Sequence, residues 1–271
     1  MPNPLRLDAY LERIQWGGPV APTFATLAAL LRAHMTRIPF ENLDVLLGRP
    51  VRLDLDSLQQ KLIDSRRGGY CFEHATLFAA VLVRFGFAIR THSARVTVTA
   101  PRTEMPRTHM LLTVALPEGI FIADPGFGGL APIMPVPLVE RADAAAEDES
   151  ATHWMVKSDD HWILRTRTPD KLVDCWATML EEDYPVDFTM ANHYVSTHPS
   201  SSFANRMLLR AITGEGSVSV MNRDVTVRRG EVSETTKLAD RAALRAVLAK
   251  HFGFDLPEVE RMRVPAIPEW E

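Results

Sequence analysis

The stretch SRRGGYCFEHATLFAAVLVRFGF, residues 65–87, sets two glycines and a tyrosine directly before Cys71 and a long apolar segment after it. The apolar residues of that segment recur at steps of three and four, which predicts an amphipathic helix beginning near Cys71. Free N–H groups and the positive dipole end at a helix start favour a thiolate and can hold a developing oxyanion. Glycines there allow a tight turn and the close approach of a ligand. Cys71 is therefore a candidate nucleophile; the alternative is a small buried core residue.

The residues before this stretch also have helical periodicity. The segment TFATLAALLRAHM, 23–35, places its leucines on one face, and DLDSLQQKLIDS, 54–65, predicts a second helix capped by Asp56 or Ser57. An irregular apolar segment that contains the sequence IPFEN lies between these two helices. Together with the helix at Cys71, they predict a helical first domain over residues 1–86.

After residue 86 the spacing of the apolar residues changes from the helical period of three to four residues to the strand period of two residues. Six short runs rich in β-branched and aromatic residues, separated by turn signals such as PEG and SDD, predict an antiparallel β domain over residues 87–185. The acidic, alanine-rich segment 139–150 is interpreted as a surface loop. The last part, 186–271, combines strand-like runs with a helix ended by Gly253. The predicted fold class is α+β, in the order helical, β and mixed α/β.

Composition disfavours several classes of protein. The 271 residues carry 30 basic and 34 acidic side chains, a net charge of −4, without a basic stripe that would follow a nucleic-acid backbone. The first residues contain no long apolar run, so neither a signal peptide nor a membrane span is expected. The two cysteines, Cys71 and Cys175, cannot form a disulfide framework, which favours a reducing, cytoplasmic location. Monomer and homodimer are both open.

A nucleophilic cysteine needs a base, and His109 is the best candidate. It begins the run HMLLTVAL, which turns at PEG into IFIADPG. With the hairpin centre near residues 117–118, His109 lies roughly opposite Gly126, and Asp124 is a diagonal neighbour on the same face. The sequence therefore predicts a histidine beside an aspartate at the open end of one hairpin. An ordinary salt bridge at a strand end is the alternative.

The remaining candidates have simpler interpretations. His74 lies on the Cys71 helix without an obvious carboxylate to orient it, and Cys175 has alternating neighbours that indicate a structural residue. The chain has no C-x-x-C or H-x-x-x-H pair, so no metal site is predicted. The tryptophans of the β region are interpreted as core or interface packing: Trp154, Trp162 and Trp176.

The motifs RRGGYCFEHA, THMLL and DPGFGG, in this order and spacing, resemble those of the arylamine N-acetyltransferases. The segments RIPFENLDVLLGR and ANHYVSTHPSSSF are also similar to that family, so the resemblance spans residues 10–203 and weakens beyond. It implies a helical bundle, a β-barrel and an α/β lid. It also implies that Cys71, His109 and Asp124 form a triad similar to that of papain-like proteases and transglutaminases. The implied substrates are acetyl-CoA and an arylamine or arylhydrazine, with no metal.

The resemblance implies further roles around the triad. Phe40 of the I-P-F motif, Phe127 of D-x-G-F-G and Phe203, which closes S-T-H-P-x-x-x-F, line the substrate pocket of the family. Arg67 corresponds to a structural hydrogen-bonding arginine. Five arginines of the last part are interpreted mainly as solvated surface, with the phosphates of CoA as the alternative contact: Arg206, Arg210, Arg223, Arg228 and Arg229.

Two positions depart from the family pattern. Ala75 replaces a common asparagine after CFEH, and Pro125 replaces a common valine or alanine after the aspartate. Ala75 removes a potential supporting hydrogen bond, and Pro125 fixes the chain direction after Asp124. Both bear on substrate preference and site rigidity, since the catalytic groups are intact.

The resemblance implies transfer of an acetyl group through an acetyl-Cys71 thioester. An amide synthase, which closes a macrolactam from a carrier-bound acyl chain, is the alternative with the same chemistry and would need a wide, open cleft. A papain- or transglutaminase-like hydrolase would need a groove for a peptide. A non-catalytic binding protein is disfavoured because all three triad residues are present.

Overall fold

The computed structural model describes residues 4–141, 152–168 and 170–270. The chain forms an α+β fold, with helices first, then a seven-stranded antiparallel sheet, and finally a five-stranded sheet packed against a helix. The fold class predicted from the sequence is confirmed. The segment predicted as an acidic surface loop lies outside the described residues from position 142 onward.

The first part contains helices α1 Leu7–Ile14, α2 Phe24–Arg37, α3 Leu43–Leu46, α4 Leu55–Leu58 and α5 Cys71–Arg84. Helix α4 continues as the π-helical segment Gln59–Asp64. Helix α1 was not predicted. The predicted cap at Asp56 or Ser57 was wrong, because Oδ1 of Asp54 accepts a hydrogen bond from the N–H of Ser57 at 2.9 Å. Among the described residues, no helix is both long and apolar enough to cross a membrane.

Helix α5 runs through the centre of the helical core. Its residues Phe72, Phe78 and Val81 are fully buried, because their spacing keeps them on the inward face. The helix begins at Cys71, as the sequence predicted. Its start is stabilised by Glu73, whose Oε2 accepts a hydrogen bond from the N–H of Tyr70 at 3.0 Å.

The glycines before α5 allow the chain to pack closely against itself. A Cβ on Gly68 would lie 1.9 Å from the carbonyl oxygen of Pro39, and a Cβ on Gly69 would lie 2.7 Å from Oε2 of Glu73. Neither glycine has a positive φ. Both glycines therefore serve the close packing of the chain against its own backbone and the helix cap, and their role in the approach of a ligand stays a prediction.

The second part is a nearly closed barrel. Its strands are β2 Ala88–Val96, β3 Arg107–Leu116, β4 Gly119–Ala123, β5 Val136–Pro137, β6 His153–Ser158, β7 His161–Arg167 and β8 Leu172–Thr178. Their order in the sheet is β5-β4-β3-β2-β8-β7-β6. A bridge between Glu140, which follows β5, and Met155 of β6 brings the two edges together.

Strand β3 is buried on both faces, which explains its nearly continuous apolar sequence. Met110 and Leu112 pack into the helical core, whereas Leu111 packs inside the barrel with Ile122 and Trp176. Because side chains alternate between the two faces of a strand, His109 lies on the same face of β3 as Leu111. This face is the interior of the barrel.

The third part contains α6 Pro185–Thr197, α7 Ser202–Asn205, β9 Leu208–Thr213, β10 Gly216–Met221, β11 Asp224–Arg229, β12 Val232–Lys237 and α8 Arg241–Val247. Helix α8 continues as a π-helical segment to Phe252, and Gly253 ends it with a φ of 78°. Short 3₁₀ turns occupy Gly128–Leu130, Pro257–Arg261 and Pro268–Trp270. Strand β1, Phe40–Glu41, comes from the helical part and pairs with β9 at the edge of this sheet.

Candidate active site

Cys71 lies where the helices meet the barrel. Its side chain is buried, with 4% of the residue exposed, and its Sγ lies 3.7 Å from the carbonyl oxygen of Thr108 in β3. Gly126 packs directly against it: a Cβ at this position would lie 2.6 Å from Cα of Cys71. Glycine at position 126 is therefore what allows the DPGFGG loop to lie against the start of α5.

His109 and Asp124 meet at the end of the β3–β4 hairpin. The register of the two strands runs from the pair Leu116 and Gly119 to the pair Leu112 and Ala123. The centre of the hairpin therefore lies between residues 117 and 118, as predicted from the sequence. Nε2 of His109 lies 2.8 Å from Oδ2 of Asp124, and both side chains are almost completely buried. The hairpin therefore positions a carboxylate to orient the imidazole.

Asp124 accepts three hydrogen bonds. Its Oδ2 accepts one from His109 and a second from Nε1 of Trp176 at 2.9 Å, and its Oδ1 accepts one from the N–H of Gly126 at 3.3 Å. Trp176 was interpreted from the sequence only as packing. It is indeed buried, but its indole also holds the carboxylate in place. The alternation of apolar and polar residues along β8 indicates that Trp176 is buried, but it does not indicate that Asp124 is its hydrogen-bond partner.

The thiol of Cys71 also acts on His109, because it contributes to raising the pKa of the ring. Since Asp124 occupies Nε2, the nitrogen available to Cys71 is Nδ1. Burial alone lowers the pKa of His109, but the charge and hydrogen bond of Asp124, together with Cys71, raise it to about 10. The imidazole is therefore protonated at neutral pH and lies between a carboxylate and a thiol.

We expect the ring of His109 to titrate near pH 10, measured by nuclear magnetic resonance of its ring nitrogens and assigned with His109→Gln. Because this pKa lies above the ordinary 6.5, protonation stabilises the folded state. The stabilisation is complete below pH 6.5 and is lost as the pH rises toward 10. Urea unfolding across this range should show the decline, and a ring titration near pH 6.5 would contradict it.

An apolar cleft of about 640 Å³ opens onto Cys71 and His109. Phe40, Phe127 and Phe203 all line it. The ring centroids of Phe40 and Phe203 are 6.1 Å apart, and the ring of Phe127 lies 5.0 Å from that of His109. The structure thus brings the three predicted pocket residues together beside the thiol. The volume lies within the range of sites that bind small molecules.

Arg67 lies beneath the start of α5 and does not line the cleft. Its guanidinium donates to Glu41 and Asp44, each at 2.6 Å. Lys61 extends this network, because its Nζ lies 2.8 Å from Asp44 and 2.7 Å from Glu73, the residue that caps α5. The buried charges are paired, and they connect β1 to the helix that carries Cys71.

His74, the weaker candidate base, belongs to another hydrogen-bond chain. Its Nδ1 lies 2.8 Å from Nε2 of His34, and its Nε2 lies 3.2 Å from the carbonyl oxygen of Pro39. Nδ1 of His34 lies 2.9 Å from the hydroxyl of Tyr10. Burial lowers the pKa of His74 to about 4, so the ring is neutral. Among the described residues, no group of three or more His, Cys, Asp or Glu side chains could hold a metal ion.

Arg210 is a cleft residue that the sequence interpretation placed mainly on the solvated surface. It lies in β9 opposite Phe40 and lines the cleft. Its Nε is enclosed and has no hydrogen-bond partner among the described residues. Its position beside Phe40 depends on the pairing of β1 with β9, so nothing in its neighbouring sequence distinguishes it from the other arginines.

The two departures from the family pattern flank the site without lining the cleft. Ala75 is fully buried in the helical core, one turn after Cys71 on α5. Pro125 is buried between Asp124 and Gly126. The hydrogen bonds of Asp124 form with both residues in place.

The chain is similar to known N-acetyltransferases in sequence and in fold. A family model described as N-acetyltransferase matches residues 23–261. The arylamine N-acetyltransferase of Escherichia coli (strain K12) is 36% identical over 256 residues, which cover 94% of this chain and 90% of that protein. The solved structure of the M. tuberculosis enzyme has a TM-score of 0.86 at 34% identity, covering 93% of this chain and 95% of the other. The Mycobacterium marinum enzyme, solved in complex with CoA, has a TM-score of 0.85 at 31% identity, with coverages of 93% and 94%.

Proposed function

Because this chain belongs to the arylamine N-acetyltransferase family, we propose that it transfers the acetyl group of acetyl-CoA to the nitrogen of arylamines or arylhydrazines. The observation that supports this best is the position of Cys71. It lies at a helix start and lines, together with a protonated His109, an apolar cleft of about 640 Å³. The transfer is a ping-pong reaction through an acetyl-Cys71 thioester.

In the donor half-reaction, the thiolate of Cys71 attacks the thioester carbonyl of acetyl-CoA. The imidazolium of His109 balances the charge of the thiolate, so the nucleophile exists before the substrate arrives. Free N–H groups in the first turn of α5 stabilise the oxyanion. The new C–S bond to Cys71 forms as the C–S bond to CoA breaks, and His109 protonates the departing CoA thiolate.

In the acceptor half-reaction, the amine nitrogen attacks the acetyl-Cys71 carbonyl. His109, now neutral, takes the proton of the amine, and Asp124 stabilises the imidazolium that forms. The C–S bond to Cys71 then breaks, which releases the amide and restores the thiolate–imidazolium pair. One thioester replaces another in the first half-reaction, so little free energy is lost before the amine arrives.

Phe40, Phe127 and Phe203 form the pocket for the aromatic ring of the acceptor. A flat, largely apolar amine fits between such walls, and its binding excludes water that would hydrolyse the acetyl-enzyme. Arg67 acts structurally, because its two carboxylate partners hold β1 against the start of α5.

The chain forms three domains and acts in the cytoplasm. Residues 1–86 carry the nucleophile, 87–185 carry the base and its aspartate, and 186–271 act as a lid over the cleft. A cytoplasmic location agrees with two free cysteines, both buried. The protein acts as a monomer or a homodimer.

The proposed reaction predicts a covalent intermediate. Brief mixing of the protein with acetyl-CoA, without an amine, should add one acetyl group, measured by intact-protein mass spectrometry. Addition of an arylamine or arylhydrazine should remove it and yield the acetylated amine. Cys175→Ala is the matched control: the other cysteine is buried, and burial raises its pKa to about 12, so its loss should leave acetylation unchanged.

Two results would redirect the proposal. An acetyl group that stays on the protein after amine addition would support the donor half-reaction and contradict an arylamine acceptor. An absence of acetylation, while Cys71 still reacts with a thiol reagent, would contradict acetyl-CoA as donor. In that case an amide synthase or a hydrolase becomes the better assignment.

A further inference from the structure

Arg210 is a cation at the wall of the cleft, and no carboxylate of the described residues is paired with it. Among the described residues, no other lysine or arginine lines the cleft. Its Nε is enclosed without a hydrogen-bond partner, and no ion pair of the described residues includes it. Arg67, in contrast, has a carboxylate oxygen 2.6 Å from each of two guanidinium nitrogens. An enclosed arginine is usually paired in this way, because the unpaired charge is costly.

The surroundings of Arg210 make its charge less favourable. Burial, followed by the like charge of Arg228, lowers the pKa of Arg210 from its ordinary value. An anion placed against the guanidinium would reverse this penalty, and a partly enclosed cleft strengthens such a pairing relative to water. The charge of Arg210 therefore has no balancing carboxylate among the residues that the structure describes, and a substrate anion is suited to neutralise it.

Arg210 also lies close to the aromatic pocket. It is the cross-strand partner of Phe40. On the other side, a Cβ on Gly129 would lie 3.7 Å from its Nη1. Gly129 belongs to the loop that carries Phe127, whose ring lies 5.0 Å from that of His109. The guanidinium thus adjoins the same strand and loop that supply two of the pocket phenylalanines.

We propose that Arg210 is a specificity residue that binds an anionic group of the substrate, and that this group is a carboxylate on the aromatic acceptor. The inference rests on the proposed acetyl transfer. A guanidinium can hold a carboxylate with two parallel N–H···O bonds, which fixes orientation as well as position. The enzyme then favours carboxylated arylamines over neutral ones. The phosphates of CoA offer related chemistry from the donor side, so the test separates the two sources.

The test compares 4-aminobenzoate with 4-aminobenzamide, which are alike in shape and differ in charge. Arg210→Gln should lower kcat/KM for 4-aminobenzoate by about 10- to 100-fold relative to 4-aminobenzamide, the loss expected for a hydrogen bond to a charged group. Arg229→Gln is the matched control, since Arg229 is exposed, does not line the cleft and forms an ion pair with Glu215. It should leave the ratio between the acceptors unchanged. Retained activity on 4-aminobenzamide shows that the variant is folded and that the proposed reaction holds.

Other results would overturn the inference. An equal loss for both acceptors, with a raised KM for acetyl-CoA but not for S-acetylpantetheine, which lacks phosphates, would assign Arg210 to the donor. An unchanged ratio with unchanged donor kinetics would exclude Arg210 from anion binding. If the wild type acetylates neither amine, the proposed function fails. Calorimetric binding of 4-aminobenzoate, lost in Arg210→Gln, would then still support anion capture, and equal binding would contradict it.

Discussion

Cys71→Ala should abolish acetyl transfer, with a loss of rate on the order of 10⁴- to 10⁶-fold, the range for removal of a triad nucleophile. The substitution removes the only atom that can carry the acetyl group in the proposed mechanism. His109 and Asp124 remain, but without the thiolate they have no intermediate to act on. The measurement is steady-state acetylation of an arylamine, together with protein mass after exposure to acetyl-CoA.

The control for this prediction is the fold of the variant. Cys71 packs at the edge of the helical core, so its truncation should cost about 1 kcal/mol of unfolding free energy. Circular dichroism and the Tm of Cys71→Ala should therefore stay close to those of wild type and of Cys175→Ala. A folded Cys71→Ala variant that transfers acetyl groups at the wild-type rate would exclude the covalent mechanism.

Asp124→Asn should lower kcat on the order of 10⁴-fold, the size of the loss for the same change in a serine-hydrolase triad. The carboxylate accepts from both His109 and Trp176 through Oδ2, and from Gly126 through Oδ1. An asparagine turns one of these acceptors into an NH₂ donor and removes the charge that keeps His109 protonated. Burial then lowers the pKa of His109, so the thiolate loses its counter-ion.

Two measurements separate this catalytic effect from misfolding. The titration of the His109 ring should move to lower pH in Asp124→Asn, and the unfolding transition should remain cooperative. Trp176→Phe is the graded control, because it removes one hydrogen bond and keeps both the carboxylate and the ring packing. A loss of about tenfold is expected there. Full activity of Asp124→Asn would contradict the orienting role of the aspartate.

The local elements could be predicted from the sequence with few corrections. The start of α5 at Cys71 and the register of the β3–β4 hairpin follow from short-range patterns, since helical spacing and turn position act within a few residues. The hairpin register alone brings His109 beside Asp124. The cap of α4 was misplaced because several acidic and hydroxyl residues near Asp54 satisfy the same capping pattern.

The family resemblance supplied what local patterns could not. Periodicity predicts a helix and a hairpin, but it does not place the thiol of Cys71 beside the ring of His109. That contact joins the helical part to the barrel, and its close fit depends on the absence of a side chain at Gly126. The motifs indicated this contact only because their order and spacing resemble those of a known family, whose fold brings the corresponding residues together.

By itself the sequence determined the α+β fold class, the helix that begins at Cys71 and the hairpin that joins His109 to Asp124. Only the tertiary structure decided that Trp176 holds Asp124, that the glycines before α5 serve packing, and that Arg210 faces the cleft. The physical reason is the range of the interactions. Helical and strand periodicity is set by neighbours along the chain, whereas the partners of an indole or a guanidinium come from strands that are distant in sequence. The hydrogen-bond partners and the surroundings of Trp176 and Arg210 are therefore set only when the sheets assemble.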